Sequence, residues 1–197
     1  MARATIQPLW VRIAHWINVI AVLLMLLSGW KVYDASPIFR GLRFPEFMTL
    51  GGWLGGALLW HFAVMWVLVA NYVVYMALNI ATGRLRGKLL SITWASLIRD
   101  VIDTFRGKLG HEDLSRYNAV QKVAYVLVIV DIALVILSGL AMFKSVQFPL
   151  LREIMGGYDN ARIVHFFAMA FIVAFLVVHV VMVALVPRSL RLMILGR

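Results

Sequence analysis

Four long apolar runs limit what this chain can fold into more than any other feature of its sequence. They cover about residues 11–30, 53–80, 119–143 and 161–186. Because an α-helix rises about 1.5 Å per residue, each run is long enough to cross roughly 30 Å of hydrocarbon. Proline and paired glycines fall between the runs, where loops are expected. The pattern predicts a single all-α membrane domain over residues 1–197, built as a bundle of four transmembrane helices.

The composition agrees with lipid as the solvent and narrows the chemistry. Hydrophobic residues make up 63% of the chain and charged residues 14%, and the mean hydropathy is +0.90. So much apolar surface could not be hidden in one aqueous core. The absence of cysteine excludes disulfides, thiolate metal sites, iron–sulfur clusters and covalently attached haem in this chain.

The basic residues predict the orientation of the helices. The net charge of +10 could suggest nucleic acid as a partner, but the lysines and arginines lie mainly in loops between the runs. With both termini inside, 13 of the 19 fall on the cytoplasmic side. This excess is typical of the positive-inside rule, so cytoplasmic termini and membrane lipid, rather than nucleic acid, are expected.

The connection between the second and third runs has a pattern of its own. Between Leu89 and Phe105, apolar residues recur at spacings of three and four while Arg99, Asp100 and Asp103 occupy other faces. This predicts an amphipathic helix on the inner membrane surface. A plain connector packed under the bundle is the open alternative.

Histidine is the second constraint, because four of the five histidines fall inside the predicted spans. Ionisable groups in hydrocarbon are costly, and they usually face the bundle interior and serve a function. On the first helix, which runs outward, His15 lies near the inner surface. On the returning second helix, His61 lies near the outer surface. On the last helix His165 lies near the outer end, and His179 lies about 21 Å deeper on nearly the same face.

These depths predict two histidine pairs, His15 with His179 and His61 with His165. Two imidazoles at one depth suit the two axial positions of a haem iron, and a helix bundle supplies the apolar slot for the macrocycle. Without cysteine the haem is held non-covalently, so two haems b are expected. The competing interpretation is zinc, which would gather three or four ligands at one point and is disfavoured by two separate levels.

Two arginines and two glycines complete the predicted cofactor site. Arg12 and Arg162 each precede a ligand histidine by three residues and could pair with haem propionates or anchor the helices at the interface. Gly29 and Gly139 could leave room for the flat macrocycles or allow close helix packing.

Other polar positions suggest a quinone site and a proton path. Tyr117, Asn118 and Gln121 lie at the depth of the inner haem and could bind a quinone headgroup; they could equally form a helix start. Asp131 in the middle of the third span could relay protons or tune a haem. It could equally hydrogen-bond a neighbouring helix or face a polar pocket. His111, in the inner loop, is either exposed or a proton shuttle for quinone.

The sequence also contains a faint internal repeat. Leu27-Ser28-Gly29 is matched by Leu137-Ser138-Gly139, and the segment that begins at His61-Phe62 is matched by the one that begins at His165-Phe166. The first two helices are therefore candidates for a distant copy of the last two. In a chain of such biased composition, coincidence is the alternative.

Several motifs together resemble the bacterial di-haem cytochrome b family, which includes membrane subunits of nickel–iron hydrogenases, formate dehydrogenases and thiosulfate reductases. The resemblance spans nearly the whole chain. It implies two haems in the bacterial inner membrane, ligated by the four histidines, that carry electrons between quinone and a partner on the periplasmic face. The motifs are Arg12-x-x-His15-Trp16, Leu27-Ser28-Gly29, the glycine-rich run 51–56 before His61-Phe62, Tyr117-Asn118-x-x-Gln121-Lys122, and the pair His165 and His179.

The leading functional hypothesis is an electron-transfer subunit of an oxidoreductase, working between the quinone pool and a periplasmic redox protein. The glycine-rich run resembles cytochromes encoded with molybdenum oxidoreductases; a dehydrogenase or hydrogenase is the other expected partner. A stand-alone superoxide:quinone oxidoreductase is the second hypothesis, and a non-redox anchor or transporter the third. The identity of the partner, the direction of electron flow and self-association into a homo-oligomer stay open.

Overall fold

The predicted fold class is confirmed. A computed structural model of the chain describes residues 6–105 and 117–196, and within these ranges it contains helices, turns and loops but no β-strand. A 3-10 turn (Glu46–Met48) and a π-helical turn (Leu85–Leu89) lie in the connections. The α-helices are α1 (Leu9–Ala35), α2 (Leu54–Ala81), α3 (Trp94–Phe105), α4 (Ala119–Phe143), α5 (Pro149–Ile154), α6 (Tyr158–Leu185) and α7 (Pro187–Leu195).

Helices α1, α2, α4 and α6 are long and apolar enough to cross a membrane, and they correspond to the four predicted spans. Their ends differ from the ends of the apolar runs. Helix α1 continues past residue 30 to Ala35 and stops just before Ser36-Pro37, because the residue that precedes a proline is disfavoured in a helix. Helix α6 begins at Tyr158, directly after Gly157, whose φ of 94° suits glycine. Local backbone chemistry rather than hydropathy sets these boundaries.

The chain divides into two compact units. The first unit is Leu9–Met76, which contains α1 and most of α2; the second unit is Met1–Pro8 together with Ala77–Arg197. In the second unit α4 packs most extensively against α6, and it also contacts α3, α5 and the π-helical turn. Helix α4 is thus the central element of the second unit.

In the first unit, an ordered connection leads from α1 to α2. The ring of Phe44 stacks on Trp30 at 4.7 Å between centroids, and its backbone N–H donates to the Asp34 carboxylate at 3.1 Å. Gly51 has a φ of 109°, and a Cβ there would lie 2.3 Å from the backbone nitrogen of Ala57. Only glycine fits this position, so the connection constrains where α2 starts.

Helix α3 is the amphipathic helix that the sequence predicts. The buried Asp100 accepts a hydrogen bond of 2.6 Å from the backbone N–H of Ala119, in the first turn of α4. The apolar residues Trp94, Ile98 and Ile102 are nevertheless 81%, 60% and 44% exposed. Since α3 is tied to α4 by its polar side and leaves its apolar side uncovered, the interfacial interpretation is favoured over a connector packed under the bundle.

The interfacial position of α3 can be measured with spin labels, because the chain has no cysteine and a single introduced cysteine is labelled alone. We expect a label at Ile98→Cys, reconstituted in bilayers, to collide mainly with oxygen dissolved in lipid. A label at Arg99→Cys, exposed but about 100° round the helix, should collide mainly with a water-soluble nickel complex. Equal collision with the nickel complex at both positions would contradict the interfacial assignment.

Candidate functional site

In the first unit, His61 of α2 lies against a serine–glycine pair of α1. Its Nδ1 is 3.1 Å from the hydroxyl of Ser28, which is fully buried. That hydroxyl is also 2.7 Å from the carbonyl oxygen of Leu24, one turn earlier in α1. A Cβ added to Gly29 would lie 3.2 Å from Cε1 of His61. The glycine therefore leaves the space in which the imidazole rests.

The second unit contains the same arrangement. Nδ1 of His165 in α6 is 3.0 Å from the hydroxyl of Ser138 in α4, and this hydroxyl donates to the carbonyl of Leu134 at 2.6 Å. A Cβ on Gly139 would lie 3.3 Å from Cε1 of His165. The internal sequence repeat is thus a repeated structural feature. The room at each glycine is taken up by the histidine ring.

The contacts of His165 indicate which of its ring nitrogens carries the proton. Nδ1 of His165 is also 3.1 Å from the backbone carbonyl oxygen of Val135. Because a carbonyl can only accept, Nδ1 must be the protonated nitrogen, and the lone pair of the ring then lies on Nε2. A histidine that ligates a metal through Nε2 has this form, with Nδ1–H bonded to an oxygen.

Each unit also carries a second histidine far from the first. His15 precedes Ser28 by 13 residues on α1, and His179 follows His165 by 14 residues on α6, which are axial separations of about 20 Å and 21 Å. All four rings are partly buried. Within residues 6–105 and 117–196, no three His, Asp or Glu side chains come together as a metal-binding group. The donor set suits separate imidazole ligation by haem iron better than one zinc ion.

An asparagine of α2, which the sequence reasoning missed, fixes the backbone around His15. The buried Asn71 donates from Nδ2 to the carbonyl of Ala14 at 2.9 Å and to Oδ1 of Asn18 at 2.6 Å. These two acceptors flank His15 in α1. The available signal was a lone amide within an apolar span, where an unpaired polar group is costly.

The two arginines expected beside the haems occupy the predicted helical positions. Arg12 lies one turn before His15 on α1, and Arg162 lies one turn before His165 on α6; both are partly buried. Each guanidinium therefore belongs to the same helix and unit as its histidine. Their pairing with propionates stays a prediction.

The polar residues suggested for quinone have structural roles. The Asn118 side chain accepts from the Gln121 backbone N–H at 2.7 Å, and the Asn118 N–H donates to Gln121 Oε1 at 3.3 Å. This capping box is the helix start that the sequence left open. The Tyr117 hydroxyl accepts from Gln7 Nε2 at 2.6 Å and from Arg84 at 3.2 Å. Quinone binding here stays a prediction. The side chains of Asn118 and Gln121 are explained by the capping box.

Of the two residues suggested for a proton path, the structure describes Asp131 but not His111. Asp131 lies partly buried in the middle of α4, and within the described ranges its buried Oδ2 has no hydrogen-bond partner. The bond to a neighbouring helix that would give this oxygen a purely structural role is therefore not seen. His111 lies outside the described residues.

The capping role and the quinone role of Asn118 make different predictions. We expect Asn118→Ala to lower the stability of the protein by about 1 kcal/mol through loss of the cap, and Asn118→Ser to restore most of it. The rate of haem reduction by a quinol analogue should be unchanged in both variants. A slower rate in the well-folded Asn118→Ser variant would instead return the amide to the quinone site.

Comparison with known proteins extends this picture. The family model described as prokaryotic cytochrome b561 matches residues 6–196. Over 191 residues the chain is 53% identical to a protein of Azospira oryzae described as "Putative protein-methionine-sulfoxide reductase subunit YedZ1", and the match covers 97% of this chain and 96% of the relative. No solved structure matches the chain significantly.

Proposed function

This chain belongs to the prokaryotic cytochrome b561 family, and from that premise we propose that its electron-transfer role in the membrane rests on two haems b. The observation that supports this best is the repeated contact of Ser28 with His61 and of Ser138 with His165, at 3.1 Å and 3.0 Å. Each unit adds a second histidine about 20 Å along a helix. A single haem needs only two imidazole ligands, so the second histidine of each unit is available to a second haem.

In the proposed arrangement, His15 and His179 ligate one haem, and His61 and His165 the other. When bound, each haem supplies an iron that alternates between the ferric and ferrous states. The chain would hold each haem by imidazole nitrogens, exclude water with its apolar helices, and offer the guanidinium groups of Arg12 and Arg162 to propionates. Because two imidazoles would hold each haem, its chemistry would be electron transfer rather than oxygen binding.

The positive-inside pattern supports cytoplasmic termini in a bacterial inner membrane. Under this topology the haem of His61 and His165 lies toward the periplasm. The haem of His15 and His179 lies toward the cytoplasm, at the depth of Tyr117. A quinone that reacts near the inner haem and a partner that docks outside would then be connected by the two haems.

The relative of Azospira oryzae suggests the partner. Its description names a subunit of a protein-methionine-sulfoxide reductase, and we infer that this chain supplies electrons to a periplasmic reductase of oxidised methionine. Reduction of one sulfoxide takes two electrons and two protons and yields the thioether and water. One quinol supplies the two electrons. The full-length similarity favours this role over a stand-alone superoxide:quinone oxidoreductase.

The haem content and the pairing can be tested together. The purified protein should contain two non-covalent haems b per chain in a pyridine haemochrome assay. His61→Ala and His165→Ala should remove the same spectral component, and His15→Ala and His179→Ala the other. A content near zero would refute the haem assignment, while loss of the same component in His15→Ala and His61→Ala would refute the pairing.

The proposed partner can be tested with membranes that contain the full chain. After reduction by a quinol analogue, the haems should be reoxidised when a periplasmic methionine sulfoxide reductase and a protein containing methionine sulfoxide are both added. The same protein with unmodified methionine is the matched control. No reoxidation, together with rapid haem reduction by superoxide, would favour the stand-alone enzyme instead.

A further inference from the structure

We propose that Ser28 and Ser138 are positioning residues that hold the imidazoles of His61 and His165 and lower the redox potential of the haem iron that these imidazoles ligate. The inference rests on the proposed ligation by these two histidines. It goes beyond that ligation because it assigns a function to two buried hydroxyl groups that contact the proposed ligand imidazoles.

The direction of the hydrogen bonds carries the argument. Each serine hydroxyl has one proton, and the carbonyl one turn earlier lies 2.7 Å from Ser28 and 2.6 Å from Ser138. With its proton donated to that carbonyl, the oxygen can only accept from the histidine. At His165 the second contact, to the carbonyl of Val135 at 3.1 Å, independently requires a proton on Nδ1.

The glycines next to the two serines leave room for the histidine rings. A Cβ at Gly29 or Gly139 would approach Cε1 of the histidine to 3.2 Å or 3.3 Å, closer than comfortable carbon–carbon contact. In each pair the serine thus provides a hydrogen-bond acceptor for the ring, and the glycine provides the space in which the ring lies. The same pair occurs in both units, on α1 and on α4, and both serines are fully buried.

The bond also has a defined electronic effect. An acceptor on Nδ1–H raises the basicity of the imidazole, and a chain of aligned hydrogen bonds strengthens that acceptor. A more basic ligand stabilises the more highly charged ferric iron more than the ferrous iron. The serines therefore lower the potential of the haem, and their removal should raise it.

The experiment is a spectroelectrochemical titration of the purified holoprotein in detergent. The component lost in His61→Ala identifies the haem in question. We expect Ser28→Ala and Ser138→Ala each to raise the midpoint potential of that component by about 59 mV, the equivalent of a roughly tenfold lower preference for ferric iron. The double variant should shift it further, while the other haem keeps its potential.

Two further variants separate positioning from packing. Ser28→Thr and Ser138→Thr retain the hydroxyl and should restore the wild-type potential. Ser189→Ala removes a partly buried hydroxyl that donates a hydrogen bond to the carbonyl of Val186 at 2.7 Å, and should leave both potentials unchanged. Selective loss of this haem in the alanine variants, with retention in the threonine variants, would support positioning as well.

Other results would overturn the inference. Two haems per chain with unchanged potentials in the alanine variants would refute the role of the serines and leave the di-haem proposal standing. Haem loss in the alanine and threonine variants alike would show that only side-chain volume matters. Absence of haem from the wild-type protein would refute the proposed function itself.

Discussion

The hydrogen-bonding demand of polar groups in hydrocarbon is the constraint on which the rest of this structure depends. Within a membrane span no water is available, so a polar side chain is costly unless it finds a partner in the protein. Serine meets this demand within its own helix by donating to the preceding turn. Histidine and asparagine must reach another helix, as His61 and Asn71 reach α1. The few polar side chains therefore determine which helices meet and in which register.

The same solution appears in both units, although their sequences share few residues. In each unit a serine–glycine pair on one helix receives a histidine from another, at Ser28 with His61 and at Ser138 with His165. Small residues at such contacts let the elements approach closely. The two units differ around their other histidine. In the first unit Asn71 stabilises α2 against α1 beside His15, whereas in the second unit the His179 ring stacks on Phe175 at 5.7 Å between centroids.

Apolar length and helical periodicity predict the four spans and the amphipathic helix, because both are properties of contiguous sequence. The histidines could also be identified from the sequence as candidate ligands, since an ionisable residue in a membrane span is rare. The contacts of Ser28 and Asn71 could not, because each depends on the rotation of two helices that are distant in sequence. The capping box of Asn118 shows the converse problem: the residues of a helix start are the same residue types that bind a quinone headgroup.

A ligand histidine in lipid has two requirements that a single interaction can satisfy. Its Nδ1–H needs an acceptor, because an unpaired buried donor costs about 1–3 kcal/mol, and its ring must be held in one orientation so that Nε2 faces the iron. A buried serine that is already donating to its own helix meets both needs without adding a charge to the membrane interior. Alanine at Ser138 would leave the carbonyl of Val135 as an acceptor in a different direction. The orientation of the ring would then depend on the backbone alone, so under the proposed ligation the hydroxyl would contribute to function as well as to stability.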